Sequence, residues 1–166
     1  MKHRDGEGDE GLVTRVATLA DIEPLVAGNI ALARESEALH LDAGTVRAGV
    51  RAVLERRAPG EYWVVESAGR VVAQLLITYE WSDWRNRIVW WIQSVYVAPE
   101  RRRQGLFAHL YRRIVRAAHD AGAGGVRLYV EHENRNAQAV YAALGMDGER
   151  YRMYEAMFDE PEKEAH

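Results

Sequence analysis

The chain of 166 residues contains no cysteine, which excludes disulfide bonds, thiolate metal ligands and a cysteine nucleophile. No hydrophobic run approaches the roughly 18 residues of a membrane-spanning helix. The first eleven residues, MKHRDGEGDEG, lack the apolar segment of a signal peptide. Together these absences predict a cytoplasmic protein that makes no membrane contacts and uses no covalent catalysis through sulfur.

Lysine is also scarce, since Lys2 and Lys163 are the only two. The remaining permanent basic charge is carried by arginine, whose planar guanidinium suits phosphate and carboxylate groups. The 22 basic and 25 acidic side chains give a formal net charge of -3, with the acidic excess in residues 1–10 and 159–166. We expect these segments to be disordered tails and residues 11–158 to form a single, nearly neutral domain. Such a domain has no bulk positive field to bind nucleic acid.

Hydrophobic periodicity between the tails predicts alternating strands and helices. Thr18 or Asp21 is expected to cap a first helix and Asp42 a second, and later helices are expected over residues 105–121 and 134–144. Strands are expected over residues 12–17, 62–67, 71–81, 87–97, 126–132 and 151–158. The predicted order is β-α-α-β-β-β-α-β-α-β, an α/β fold in which helices flank a mixed central sheet.

The most specific local feature follows the apolar strand at residues 87–97. There the sequence VAPERRRQGLFA places three arginines and a glycine before an amphipathic helix. Free backbone N–H groups at a helix N-terminus bind anions, glycine lets a phosphate approach the backbone, and arginine adds positive charge. The segment therefore predicts a phosphate site, although a solvated basic loop would have the same composition.

This segment resembles the acetyl-CoA motif of the GNAT superfamily of N-acetyltransferases. That motif begins with arginine or glutamine, has glycine at its fourth position and glycine or alanine at its sixth. Arg102 and Gly105 keep the spacing, whereas Phe107 stands at the sixth position. Gly105 therefore matches the family motif, whereas Phe107 replaces the small residue that the motif has at its sixth position.

A second segment, residues 134–146, resembles the family's stretch of Asn, Ala, Tyr and Gly at fixed spacing through Asn134, Ala137, Tyr141 and Gly145. Without the resemblance, the same residues describe a short helix capped by asparagine and ended by glycine. The two motifs occur in the family's order, separated by one predicted helix and one predicted strand. Together they are more specific than either motif alone.

The resemblance implies a GNAT fold over residues 12–158 and direct transfer of an acetyl group from acetyl-CoA to a primary amine of a small molecule or peptide. No covalent enzyme intermediate and no metal are implied. The strand before the phosphate loop is expected to bulge and to pair with the pantetheine arm, and one of its N–H groups to polarise the thioester carbonyl. The cofactor-binding residues implied are Val95, Tyr96, Val97, Arg102, Arg103, Gln104, Gly105, Leu106, Phe107, Ala108, Asn134, Ala137 and Tyr141.

Two residues are candidates for proton transfer. Tyr141 is the candidate general acid for the departing thiolate, and a tyrosine merely packed at a helix edge is the alternative. Glu80 ends the strand at residues 71–80 beside Trp81, where partial burial would suit it to act as general base, directly or through a water. A solvent-facing carboxylate at a strand end is the alternative for Glu80.

The acceptor amine is expected to contact aromatic and acidic side chains, which together suit a cationic amine with an apolar body. The candidate substrate-binding residues are Glu35, Glu37, Trp81, Trp84 and Gln93. Core packing is the alternative for the tryptophans, and a strand bulge would equally explain Gln93. A non-catalytic acyl-CoA-binding module is the alternative function. The strand at residues 151–158 could also provide an edge for a homodimer.

Overall fold

The computed structural model describes residues 11–158, and the two tails expected to be disordered lie outside the described residues. The strands are β1 (Leu12–Val16), β2 (Glu61–Ser67), β3 (Arg70–Ser82), β4 (Arg87–Val97) and β5 (Val126–Leu128). The helices are α1 (Ile22–Glu37), α2 (Ala43–Leu54), α3 (Leu106–Asp120) and α4 (Arg135–Ala143). Asp42 caps α2 as predicted, since its side chain accepts a hydrogen bond from the Thr45 N–H at 2.7 Å.

The strands form one mixed sheet in the order β1-β2-β3-β4-β5. The first four strands are antiparallel neighbours, whereas β5 is parallel to β4 and follows it through α3. Ala68 and Gly69, with φ angles of 49° and 75°, form the two-residue turn between β2 and β3. Positive φ at both turn positions matches the twist of the paired strands. The predicted α/β fold with a mixed sheet between helices is therefore confirmed.

Helices cover both faces of the sheet because each presents one apolar stripe. In α3 the buried residues Leu106, Leu110, Ile114 and Ala118 recur every four positions and pack on one face of the sheet. On the opposite face, α1 and α2 contribute Leu25, Val26 and Val50, which pack against Val64 of β2. Within the described residues, no helix has the length and hydropathy needed to cross a membrane.

A buried polar network joins α1 to the sheet. The amide of Gln74 in β3 donates to the Leu25 carbonyl and to the side-chain oxygen of Asn29, both at 3.0 Å. Asn29 in turn donates to the Tyr62 hydroxyl at 3.0 Å. Gln74 is only 2% exposed, and Gly28 leaves room for its side chain because a Cβ there would collide with it. These bonds fix the position of α1 over β3.

The structure differs from the predicted order at its C-terminal end. Residues 151–158 form no strand, and β5 ends at Leu128 although residues 126–132 were expected to be extended as one strand. Several large side chains of the segment are exposed, namely Tyr151, Met153, Tyr154, Met157 and Phe158. Alternation of apolar and polar residues is a local property, whereas a strand exists only through hydrogen bonds to a neighbouring strand. The alternation of residues 151–158 therefore does not show whether a neighbouring strand is available to pair with them.

Candidate active site

The predicted phosphate loop lies at the C-terminal end of β4. A single 3-10 turn at Pro99–Arg101 follows the strand, and Arg103 and Gly105 then adopt positive φ angles of 61° and 76°. The first hydrogen bond of α3 runs from His109 N to Gly105 O at 2.9 Å. The N–H groups of residues 106–108 therefore have no partner within the helix and can bind an anion.

Glycine is needed at position 105 for its conformation. A Cβ at Gly105 would meet no atom within 4 Å, so the positive φ angle and not crowding disfavours other residues there. The same open space gives a phosphate access to the backbone. The loop therefore has the backbone geometry that a phosphate site requires, and the assignment of its residues to acetyl-CoA remains a prediction.

Arg102 connects the loop to α1. Its Nε donates to the Val97 carbonyl oxygen at 3.0 Å, and its guanidinium carbon lies 5.6 Å from the centre of the Tyr96 ring. Its Nη2 reaches Oε2 of Glu35 at 2.5 Å. Arg102 therefore brings two predicted cofactor-binding residues together with one predicted substrate-binding residue.

β4 and β5 separate before the loop. They pair only through Trp90–Ile92 and Val126–Leu128, whereas β4 continues to Val97. On the other side of β4, Ile92 pairs with Ile77 and Ser94 with Leu76, so Gln93 is an extra residue that forms a bulge. Beyond Ile92, β4 has no strand paired on its β5 side within the described sheet. This unpaired edge is the opening between β4 and β5, and its backbone can pair with an extended ligand.

The bulge itself was expected, and the structure locates it at Gln93, two residues before the segment expected to contact the pantetheine arm. The Gln93 amide donates to the Thr78 hydroxyl at 2.8 Å, so its side chain is held against β3. A polar pair interrupting an otherwise apolar strand was the sequence signal for this irregularity.

Tyr141 contacts the start of α3. Asn134 caps α4 by accepting a hydrogen bond from the Ala137 N–H at 3.1 Å, which orients the helix. The rings of Tyr141 and Phe107 meet edge to face, with centroids 5.3 Å apart and an interplanar angle of 63°. Burial raises the pKa of Tyr141, so its hydroxyl stays protonated at neutral pH. The two sequence motifs therefore touch through these rings.

Glu80 belongs to a separate cluster on the sheet. Its carboxylate accepts a hydrogen bond from Trp91 Nε1 at 2.5 Å and forms an ion pair with Arg127 Nη1 at 2.6 Å. The Glu80 side chain is 40% exposed, so it is partly buried as expected, and these two contacts hold its carboxylate. Trp91 also contacts the Tyr129 ring, with centroids 6.3 Å apart.

Further carboxylates lie close to this cluster. The pKa of Tyr129 is raised by burial and, to a smaller extent, by the negative charges of Glu37 and Glu155. Glu37 is the last residue of α1, so the end of this helix reaches the same surface as Tyr129. The resulting surface combines aromatic rings with carboxylates, which is the chemistry expected for a cationic amine.

The remaining predicted residues are placed as follows. Trp81, near the end of β3, is 60% exposed, and Trp84, in the turn between β3 and β4, is 88% exposed. Both lie at the end of these strands that is opposite to the phosphate loop. Gln104 donates to the Glu100 carbonyl at 3.0 Å and so braces the loop. Among residues 11–158, no group of three or more histidine, aspartate or glutamate side chains is placed to hold a metal ion.

Trp91, Arg127 and Tyr129 were missed as site residues. Trp91 directly follows Trp90 in the run RIVWWIQSVYV, and of these two tryptophans it is Trp90 that belongs to the core. Arg127 offered a usable signal, because a charged residue within the apolar run VRLYV requires a partner. The structure identifies that partner as Glu80.

Comparison with known proteins points to one family. Residues 31–146 match the model of the acetyltransferase (GNAT) family. A solved structure described as a possible acetyltransferase from Clostridium difficile 630 is 42% identical, covers 90% of this chain and 99% of that chain, and superposes with a TM-score of 0.82. An aminoglycoside N-acetyltransferase solved in complex with CoA is 14% identical over 96% of this chain and 100% of that chain, with a TM-score of 0.74, which shows a shared fold.

Curated relatives match over shorter segments. Thialysine N-epsilon-acetyltransferase from Bos taurus is 33% identical over 75 residues, which are 45% of this chain and 44% of that protein. The protein of the same name from Sus scrofa is 31% identical over 88 residues, 53% of this chain and 49% of that protein. The chain thus matches less than half the length of these curated relatives.

Proposed function

The chain belongs to the GNAT acetyltransferase family, and from this premise we propose that it is an N-acetyltransferase that moves an acetyl group from acetyl-CoA to a primary amine of a small molecule or peptide. The observation that carries the proposal is the position of the phosphate loop. The free N–H groups at the start of α3 follow the C-terminal end of β4, whose edge has no β5 partner there, so an anionic head and an extended arm would bind in one continuous site.

The residues of this site fit the chemical parts of CoA. N–H groups of residues 106–108, with Arg102 and Arg103, would hold the diphosphate. The β4 backbone at Val95, Tyr96 and Val97 would pair with the amide-containing pantetheine arm. Acetyl-CoA supplies the activated acetyl group as a thioester, and an N–H group near the Gln93 bulge is suited to donate to a carbonyl oxygen there.

Proton transfer accompanies the exchange of bonds at the acetyl carbon. A C–N bond forms to the neutral amine while the C–S bond breaks, and the sulfur leaves with the electron pair of that bond. Tyr141 donates its phenolic proton to the sulfur, because burial keeps this group protonated at neutral pH. The amine nitrogen loses one proton to Glu80, directly or through a water. No enzyme nucleophile is needed for this sequence of bond changes.

Glu80 would also help to define the acceptor site. Arg127 and Trp91 hold its carboxylate in one orientation, and the Trp91 and Tyr129 rings continue the same surface. Glu37 adds negative charge at the end of α1. We propose a small cationic amine as the acceptor, and the name of the mammalian relatives makes thialysine and lysine the first compounds to test.

The test is release of CoA thiol from acetyl-CoA in the presence of an amine panel. The panel contains thialysine, lysine, polyamines, aminoglycosides and peptide N-termini. Amine-dependent thiol release supports the proposal, and mass spectrometry of the product identifies the acetylated nitrogen. Saturable CoA binding with no thiol release for any amine would instead indicate a non-catalytic acyl-CoA-binding module.

A matched pair of variants tests the two halves of the site. Arg102→Gln should weaken CoA binding by about tenfold and weaken pantetheine binding much less, because pantetheine lacks the diphosphate. Glu80→Gln should leave CoA binding unchanged and slow amine acetylation. Equal effects of Arg102→Gln on both ligands would contradict the placement of the diphosphate on the loop.

We also propose that residues 11–158 act as one domain, that the protein is cytoplasmic and that it forms a homodimer. The absence of cysteine fits a reducing compartment. β5 is an edge strand of the described sheet, and the segment 151–158 beside it exposes large apolar side chains. Light scattering of the purified chain tests the dimer, and Tyr154→Lys should convert a dimer to monomers if this segment forms the contact.

A further inference from the structure

Phe107 stands where the family motif has glycine or alanine, and its ring packs against the ring of Tyr141. We propose that Phe107 is a positioning residue that holds the Tyr141 phenol in place beside the start of α3. The inference rests on the proposed function, because it assigns a role to Phe107 through the proton donor of that reaction.

Phe107 is attached to a rigid part of the molecule. It is the second residue of α3, between Leu106, which is only 3% exposed, and the rest of a helix packed on the sheet. One turn later, Tyr111 lies beside it with ring centroids 6.1 Å apart. The three rings of Tyr111, Phe107 and Tyr141 therefore form a row that begins on a well-anchored helix.

Tyr141, in contrast, belongs to a weakly anchored helix. α4 has nine residues, from Arg135 to Ala143, and none of them is fully buried, although Tyr141 is partly so. An edge-to-face contact stabilises two aromatic side chains beyond the effect of their burial, and it requires an aromatic ring on both residues. The Phe107 ring therefore orients the Tyr141 side chain, which α4 alone does not hold in place. Removing the Phe107 ring would let the Tyr141 phenol move and would expose the phenol to water.

The backbone and the side chain of Phe107 have different roles in the site. Its backbone N–H belongs to the phosphate-binding turn and is retained when the side chain changes. Its ring contacts Tyr141, which transfers the proton to sulfur, while Phe107 itself forms and breaks no bond. Loss of the ring should therefore lower kcat and leave the KM for acetyl-CoA nearly unchanged, because proton transfer depends on the position of the donor.

The experiment measures kcat and KM with the best amine of the panel for Phe107→Ala, Phe107→Leu and Phe107→Tyr. Phe107→Ala should lower kcat on the order of tenfold with the KM for acetyl-CoA changed less than about twofold. Phe107→Leu keeps the bulk without the ring and should fall between Phe107→Ala and wild type. Phe107→Tyr keeps the ring and should restore most of kcat. If Phe107→Ala does not fold, the comparison of the leucine and tyrosine variants carries the test.

A double-mutant cycle decides whether the effect passes through Tyr141. In a Tyr141→Phe background, Phe107→Leu should cause almost no further loss of kcat, because the phenolic proton is already absent. An equal loss of kcat in both backgrounds would overturn the proposal, as would a change in KM with constant kcat. Absence of amine-dependent thiol release from the wild-type protein would instead contradict the proposed function, so the two failures are distinguishable.

Discussion

Arg102 of the phosphate loop forms an ion pair with Glu35 in the last turn of α1, with 2.5 Å between Nη2 and Oε2. In the proposed site this guanidinium would also meet the diphosphate of CoA at the start of α3, so a carboxylate and a diphosphate would compete for one arginine. Because α1 ends two residues later at Glu37, the ion pair also links the predicted phosphate loop to the side of the molecule where the proposed acceptor surface lies.

Glu35→Gln should strengthen CoA binding by about two- to fivefold, which is the range expected for loss of a partly exposed ion pair that competes with the ligand. Isothermal titration with CoA measures the dissociation constant. Pantetheine serves as the control ligand, since it has no diphosphate and its affinity should not change. Combining Glu35→Gln with Arg102→Gln should remove the gain, and a gain that persists would exclude competition for Arg102.

The activity should depend on protonated Tyr141 up to strongly alkaline pH. Burial raises the pKa of Tyr141 above its ordinary value of 10.0, so the acid form is present throughout the neutral range and is lost only above that value. The kcat profile should therefore have an alkaline limb above pH 10 in the wild-type protein. Tyr141→Phe should lower kcat by about 100-fold and abolish this limb. An identical limb in the variant would remove Tyr141 from the role of general acid.

Gly28→Ala should destabilise the fold by about 1–3 kcal/mol. The added methyl group would displace the buried Gln74 side chain and break its hydrogen bonds to Leu25 and Asn29. Gly49→Ala is the matched control, because it lies on an exposed side of α2 and its Cβ would meet nothing within 4 Å. This control should stabilise the protein by about 0.5–1 kcal/mol. Urea unfolding measures both variants, and equal effects would contradict the network.

Asp21 should contribute stability that is lost in acid. Its carboxylate accepts hydrogen bonds from Arg15 and from the Thr18 N–H, and the Arg15 guanidinium lowers the pKa of Asp21 below its ordinary value of 3.8. A lowered folded-state pKa stabilises the fold above the unfolded-state value, and this contribution disappears as the pH falls through the folded-state pKa. Asp21→Asn should therefore cost about 1–3 kcal/mol at pH 7 and progressively less as the pH falls below 3.8 towards the lower folded-state pKa.

The comparison for Asp21→Asn is Glu23→Gln, which removes an exposed ion pair with Arg47. Exposed pairs contribute little to stability, so this variant should unfold nearly as the wild type does at both pH values. Urea unfolding at pH 7 and pH 3 measures the difference. A constant effect of Asp21→Asn across this range would show that its charge does not stabilise the fold.

Local patterns were sufficient for most of the fold. The bounds of β4 agree with the run RIVWWIQSVYV, and Asp42 and Asn134 cap their helices where the sequence places them. These features depend on neighbours within a few residues, such as a side-chain oxygen and the N–H three residues on. The prediction of a strand over residues 151–158 was wrong, because a strand forms only when a distant strand pairs with it.

The geometry of the predicted phosphate loop follows from local sequence alone, since a strand, a glycine with positive φ and a helix start succeed one another along the chain. Which side chains meet in space depended instead on the tertiary structure. It joined Arg102 to Glu35, Phe107 to Tyr141 and Glu80 to Arg127. These pairs lie 67, 34 and 47 positions apart in the chain, and contacts at such separations arise from the packing of whole elements, which no local pattern encodes.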